Sequence, residues 1–194
     1  MENGTCKYAV LAVSRSEKFS AALRALLPAG RYDPLVTVSG GKEARERLAG
    51  AHFDIAIIND PLPDLSGEAL ATEVCRDSGA GVLLLVRADD FPAVNQRVSP
   101  HGVLTLPKPT TETMIAQSLM LLCGTRERLR RLEERAVSME EKMVEIRIVN
   151  RAKCLLIEQL KMTEAEAHRH IEKQAMDRCS SKKDIALAII HTYT

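Results

Sequence analysis

From Pro109 to its C-terminus this 194-residue chain contains no proline, so nothing in the backbone obliges a helix begun near Thr110 to stop before the neighbourhood of Met162 and Thr163. A helix of roughly 50 residues rises about 75 Å, far more than one globular domain needs for its own core. The stretch from about Thr110 to about Lys161 therefore reads as a connecting rod. Within it Leu129, Leu132, Ala136, Met139, Met143 and Ile146 follow a strict 3,4 alternation, which keeps one narrow apolar seam on a single side of a supercoiling helix. With Leu129 at position a, a parallel dimer sets Arg128 against Glu133 and Arg135 against Glu140, both attractive, and Lys142 against Arg147, which repel. The seam should hold in its middle and loosen towards Asn150. The alternative is that the same stripe packs on its own domain.

Ahead of the rod, strand-length apolar runs alternate with helical patterns. Tyr8 to Val13 is a continuous apolar run; Phe19, Leu23, Leu26 and Leu27 then recur at helical spacing. Leu35 to Val38 reads as a second strand, after which Ser39 is the expected cap of a helix through Ala44 and Leu48. Phe53 to Ile58 is a third strand, Gly67 to Cys75 a helix, Gly81 to Val86 a fourth strand, Phe91 to Arg97 a weak helix, and Val103 to Leu106 a fifth strand. Near-continuous apolar strands alternating with helices imply a five-stranded parallel sheet covered on both faces. Ligands of such sheets sit at the carboxyl ends of the strands.

The residues at those ends carry a resemblance. "FDIAIINDPLPDLSG" (Phe53 to Gly67) and "GVLTLPKP" (Gly102 to Pro109) resemble the third- and fifth-strand signatures of response-regulator receiver domains, over roughly residues 7 to 121. The resemblance implies a flavodoxin-like fold in which a strand-three aspartate accepts a phosphoryl group, two acidic residues after strand one hold Mg²⁺, a hydroxyl ends strand four and a lysine contacts the phosphate. Each part has its chemistry: a carboxylate nucleophile, a cation to offset phosphate charge, and donors for its oxygens. Here the acceptor position, four residues before Pro63, is Asn59; Ser14 and Arg15 stand at the acidic-pair positions, Val86 replaces the hydroxyl, and Thr105 stands where an aromatic switch residue is common. Lys108 alone is kept. Asp60, one residue late, lacks a metal site. The expectation is a pseudo-receiver that keeps the fold and has lost phosphoryl chemistry. Arg15 and Lys108 either pair with Asp60 or Asp64 or form an anion site.

Behind the seam, Ala152, Leu155, Leu156 and Leu160 continue the helix as its apolar face. Thr163 followed by Glu166 is a capping box opening a second helix with Ala167, Ile171 and Ala175 inward, ending near Cys179. Ser181 and Asp184 open a third with Ile185, Ile189 and Tyr193 inward. None of these can cover its own stripe, so three packed helices are expected. "NRAKCLLIEQLKMTEAEAHRHIEKQAM" (Asn150 to Met176) and "SSKKDIALAII" (Ser180 to Ile190) look like an ANTAR domain. That resemblance implies dimer-dependent binding of paired hairpins in nascent messenger RNA, which prevents a terminator from forming.

Hairpin loops expose bases and phosphates, so a reader needs cations and short polar groups at helix starts. The candidates are Arg151, Lys153, Arg169, Lys173, Arg178 and Lys182, with Thr163 and Ser181 at helix starts, where backbone N–H groups also favour phosphate. Hydroxyls at such positions otherwise serve only as caps. The expected division is residues 1–121 receiver-like, 122–134 coiled-coil linker and 135–194 ANTAR.

Composition narrows the alternatives. Net charge is +1, but Arg126 to Arg135 holds five arginines, so basic charge is concentrated rather than general. Five cysteines (Cys6, Cys75, Cys123, Cys154, Cys179) are odd in number and lack metal-ligand spacing; they read as reduced thiols of a cytoplasmic protein. Neither a signal peptide nor an apolar run of membrane-spanning length is apparent, and no cofactor motif or metal constellation is present. Without a nucleophile–base pair or phosphate loop, an enzyme is not expected. Three roles stay open: an RNA-binding antitermination regulator acting as a homodimer, a scaffold whose front half docks a sensor or regulatory protein, and a helix-turn-helix DNA binder.

Overall fold

The computed structural model describes residues 7–193; Cys6 lies outside them. The chain falls into two compact units, residues 1–130 and 131–194. In the first, β1 (Tyr8–Val13), β2 (Tyr32–Val38), β3 (Ile55–Asn59), β4 (Gly81–Arg87) and β5 (Leu104–Lys108) form one parallel sheet in the order β2-β1-β3-β4-β5. Alternate residues of each strand point to opposite faces, and both faces are covered. Leu11, Val13, Ala56, Ile58, Leu84 and Val86 pack under α2 (Gly41–Gly50), α3 (Gly67–Ser78) and α4 (Phe91–Val98), through Ala44, Leu70, Val74 and Val94. Val10, Ala12, Ile55, Ile57, Leu83 and Leu85 pack under α1 (Glu17–Leu26) and the start of α5 (Glu112–Leu160), through Leu23, Ile115, Leu119 and Leu122. Two-sided burial is why these strands read as unbroken apolar runs. The chain order reverses between β1 and β3, so the crevice at the carboxyl ends of those two strands is where a site belongs.

Two local expectations need correction. The second strand starts at Tyr32 rather than Leu35, running through Pro34; β2 is an edge strand, where a missing N–H is tolerated. Gly40, not Ser39, is the N-cap of α2. The amides of Gly41 and Lys42 donate to the Asp64 carboxylate at 2.7 and 2.8 Å, so the cap comes from a residue distant in sequence. A Cβ on Gly40 would lie 2.9 Å from Asp64 Oδ2, so a side chain there would push the carboxylate off the α2 amides.

In the second unit, the end of α5, α6 (Glu164–Asp177) and α7 (Lys182–Tyr193) bury Ala152, Leu156, Ala167, Ile171, Ala175, Ile185, Ala186 and Ile189 together. Leu160, expected on the inner face, is exposed, because α5 ends there and Lys161 turns the chain with φ 56°. The capping box of α6 is complete: Glu166 N–H donates to Thr163 Oγ1 at 3.3 Å and Thr163 N–H to Glu166 Oε2 at 2.8 Å. Thr163→Ala is expected to destabilise this unit by about 1 kcal/mol, read as a lower denaturant midpoint at unchanged slope. An unchanged midpoint would show that α6 does not depend on its cap.

Candidate functional site

At the carboxyl ends of β1 and β3 a polar chain crosses the crevice. Ser14 is buried, and its Oγ accepts from Asn59 Nδ2 at 3.0 Å and from Ser16 N–H at 3.1 Å. The Asn59 carboxamide is used at both ends, since its Oδ1 accepts from Lys108 Nζ at 2.9 Å. Lys108 Nζ also donates to the backbone carbonyl of Asp60. Burial pushes the Lys108 ammonium below its ordinary pKa; Asp60 opposes this, while Arg15 and Arg87 add to it. Val86 is buried beneath the site, and buried Thr105 donates through Oγ1 to Asn95 Oδ1.

The expected ion pairs of Arg15 and Lys108 with Asp60 or Asp64 do not form. Asp64 is held by the α2 amides, which keep its carboxyl below the usual range. Asp60 Oδ1 accepts from Gly67 N–H at 2.9 Å, at the start of α3. Both carboxylates thus serve the positive ends of helices. Arg15 is exposed.

Sequence reasoning missed a second polar cluster. Arg126, counted above with the basic stretch, is buried in the first unit, with Nε 3.6 Å from Asp54 Oδ1 and its guanidinium 3.4 Å from His52 Nε2. Asp54 Oδ2 in turn accepts from Ala9 N–H at 2.9 Å. The signal was present in the spacing: Arg126 follows Ile115, Leu119 and Leu122 at intervals of four, three and four, the inner face of α5.

In the second unit the candidate cations differ in exposure. Arg151, Arg169, Lys173 and Arg178 are exposed. Arg169 and Lys173 lie one turn apart on α6, about 200° around the helix from buried Ala167 and Ile171. The Lys153 side chain is only 16% exposed, its Nζ 3.2 Å from Glu164 Oε1. Lys182 Nζ is 2.5 Å from Glu172 Oε1, which His168 also approaches at 3.2 Å. Both hydroxyls are engaged as caps: Thr163 as above, and Ser181, whose Oγ accepts from Asp184 N–H at 3.1 Å and donates to Asp184 Oδ2 at 2.6 Å. The seam residues Leu129, Leu132, Met139, Met143 and Ile146 are exposed on the single chain, as is Ala136.

The family model for the ANTAR domain matches residues 138–190. The chain ends in an ANTAR domain. Its core is the α5–α6–α7 cluster, and the matched segment begins inside α5, where Ser138 and its neighbours on either side are exposed. Over 162 residues the chain is 26% identical to the transcriptional regulatory protein PdtaR of Mycobacterium tuberculosis, spanning 83% of this chain and 78% of that protein. The front half has the receiver fold. It resembles the signal receiver domain of an HD domain-containing protein from Pseudomonas fluorescens Pf-5 (TM-score 0.60, 20% identity, 68% of this chain and 97% of the other). It likewise resembles the chemotaxis response regulator CheY4 of Vibrio cholerae (TM-score 0.53, 23% identity, 60% and 98%). Among the described residues no group of three His, Cys, Asp or Glu side chains is placed to hold a metal ion, and no helix is long and apolar enough to cross a membrane.

Proposed function

We propose that the chain is a transcription antitermination regulator that binds paired RNA hairpins as a coiled-coil homodimer, and that its receiver-fold half works without phosphorylation. The observation that carries this reading is the ANTAR match at residues 138–190. The exposed cations Arg151, Arg169, Lys173 and Arg178 support it, because backbone phosphates are met by unburied positive charge. Lys153, Lys182, Thr163 and Ser181 complete the proposed RNA surface. Lys153 and Lys182 would exchange Glu164 and Glu172 for phosphate, and the two hydroxyls would act from helix starts. Dimerisation is supported by the exposed stripe from Leu129 to Ile146 and the complementary charges beside it.

Binding to tandem hairpins, a single hairpin and duplex DNA at one fixed salt concentration tests the reading. Tandem hairpins should bind tightest, and Arg169→Ala and Lys153→Ala should each weaken that complex about tenfold. Parent-like affinity in both variants would remove them from the RNA surface. Absence of hairpin binding would favour the docking scaffold, and preference for duplex DNA the helix-turn-helix reading.

The second half of the proposal concerns Asn59. An amide is not a phosphoryl acceptor, and Ser14 and Arg15 offer no carboxylate pair to a metal. Asn59→Asp should therefore fail to restore chemistry. With acetyl phosphate and Mg²⁺, neither the parent nor this variant is expected to gain a phosphoryl group or to shift its sedimentation. A phosphate-dependent increase in dimer in the parent would contradict this.

A further inference from the structure

A cavity of about 340 Å³ opens in the first unit beside the Asn59–Lys108 pair. Its walls are apolar: Phe19, Leu23 and Leu26 from α1, Leu85 from β4 and Ile115 from α5. That size is at the small end of the roughly 300–1,000 Å³ typical of ligand sites, which combine apolar walls with a few placed polar groups. Here the polar groups sort by depth. Glu112 is exposed in the first turn of α5, whereas Lys108 and Asn59 are partly buried.

Lys108 has three N–H donors. Asn59 Oδ1 and the Asp60 carbonyl take two of them, which leaves one for an acceptor. The Asn59 carboxamide is already held at both ends, so it orients the ammonium rather than neutralising it. The nearby charges balance, with Arg15 and Arg87 acting on Lys108 along with Asp60, Arg87 paired with Asp90, Asp60 turned to the Gly67 amide and Glu112 at the exposed mouth, so the free N–H of the Lys108 ammonium is what an anion would meet. An anion at this point makes a charge-assisted hydrogen bond. A dianion such as phosphate would leave oxygens unmet against apolar walls, a costly burial.

We infer that this cavity binds a small monocarboxylate with a compact apolar body, its carboxylate on the Lys108 ammonium and its hydrocarbon part between α1 and the start of α5. The site belongs to the receiver-fold unit and goes beyond RNA recognition.

Calorimetric titration of the full chain with phenylacetate, its neutral analogue phenylacetamide, and inorganic phosphate provides the test. Phenylacetate should saturate one site with Kd near about 1 mM or tighter, and phenylacetamide should bind about tenfold more weakly or worse. Inorganic phosphate should not displace phenylacetate. Ala22→Phe, which places a ring in the cavity from an exposed position of α1, should abolish binding. Lys108→Met should weaken it about tenfold. The parent far-UV spectrum in both variants keeps loss of fold out of the comparison. Lack of saturable binding, equal affinity for the neutral analogue, displacement by phosphate, or parent affinity in either variant would each overturn the assignment.

Discussion

Met139→Glu is expected to raise the dimer dissociation constant by about 10²–10³-fold, with tandem-hairpin affinity falling alongside it. Met139 is 67% exposed on the single chain and touches no core, so the substitution costs the isolated helix almost nothing; glutamate is a good helix former. Its effect arises only where a partner covers the position. At the seam two carboxylates would face each other across an apolar strip, and an uncompensated buried charge costs about 3–5 kcal/mol. Sedimentation equilibrium of parent and variant, with far-UV ellipticity to confirm equal helix content, reads the effect. A parent that stays monomeric at micromolar concentration, or a variant that dimerises as tightly, defeats the proposed seam. The exposed Met143 is the natural second position, since a charge there should behave in the same way.

The exposure of this stripe also separates what sequence could reveal from what it could not. Periodicity carries the strands and helices because burial imposes it: Leu11, Ala56 and Leu84 face one layer, while Val10, Ile55 and Leu83 face the other. It likewise carries the three-helix cluster, where Ala167, Ile171 and Ala175 recur every four residues and are buried together. Contacts between residues distant in sequence are another matter. Local chemistry nominated Ser39 as a cap, yet the α2 amides go to Asp64, more than twenty residues away. Of the two roles open to Lys108, a carboxylate pair or an anion site, the pair does not form: its ammonium sits against an amide and a backbone carbonyl, and Asp60 turns to the start of α3. What stayed hidden at the helix ends was their conformation: Lys161 and Cys179 both take positive φ without a glycine, although the ends themselves are marked by the caps that follow, Thr163 and Ser181.

The receiver-like crevice shows the same division. Residue identity at Ser14, Arg15, Asn59 and Val86 was legible at once, since a strand end and a loop proline fix the positions. Their mutual hydrogen bonds were not, because Ser14 and Asn59 are 45 residues apart and Asn59 and Lys108 are 49 apart. The cavity between α1 and α5 was invisible for a related reason. Its apolar walls come from three elements that meet only once the sheet is wound, and each wall residue taken alone reads as ordinary core.

Leu156→Ala should unfold the ANTAR unit selectively. Leu156 is 1% exposed and is, with Ile171, Ile185 and Ile189, one of the large side chains among the fully buried members of a cluster otherwise made of alanines, against which Ile148, Val149, Ile157, Met162, Ile190 and Tyr193 are partly buried. Removing one leaves a cavity that small neighbours cannot close, and such truncations cost about 2–5 kcal/mol. A unit of about 60 residues has roughly 3–9 kcal/mol of net stability to lose. Leu160→Ala, at an exposed position on the same helix, should change stability by about 0.5 kcal/mol or less. Native-state hydrogen exchange distinguishes the two: in Leu156→Ala the amides of α6 and α7 should lose protection, while those of β1, β3 and β4, whose core is a separate cluster, should keep it. RNA affinity should vanish with α6 protection, since Arg169 and Lys173 are placed by that helix. Protection of α6 and α7 at the parent level would mean that this alanine-rich cluster is not what holds the proposed RNA surface in shape.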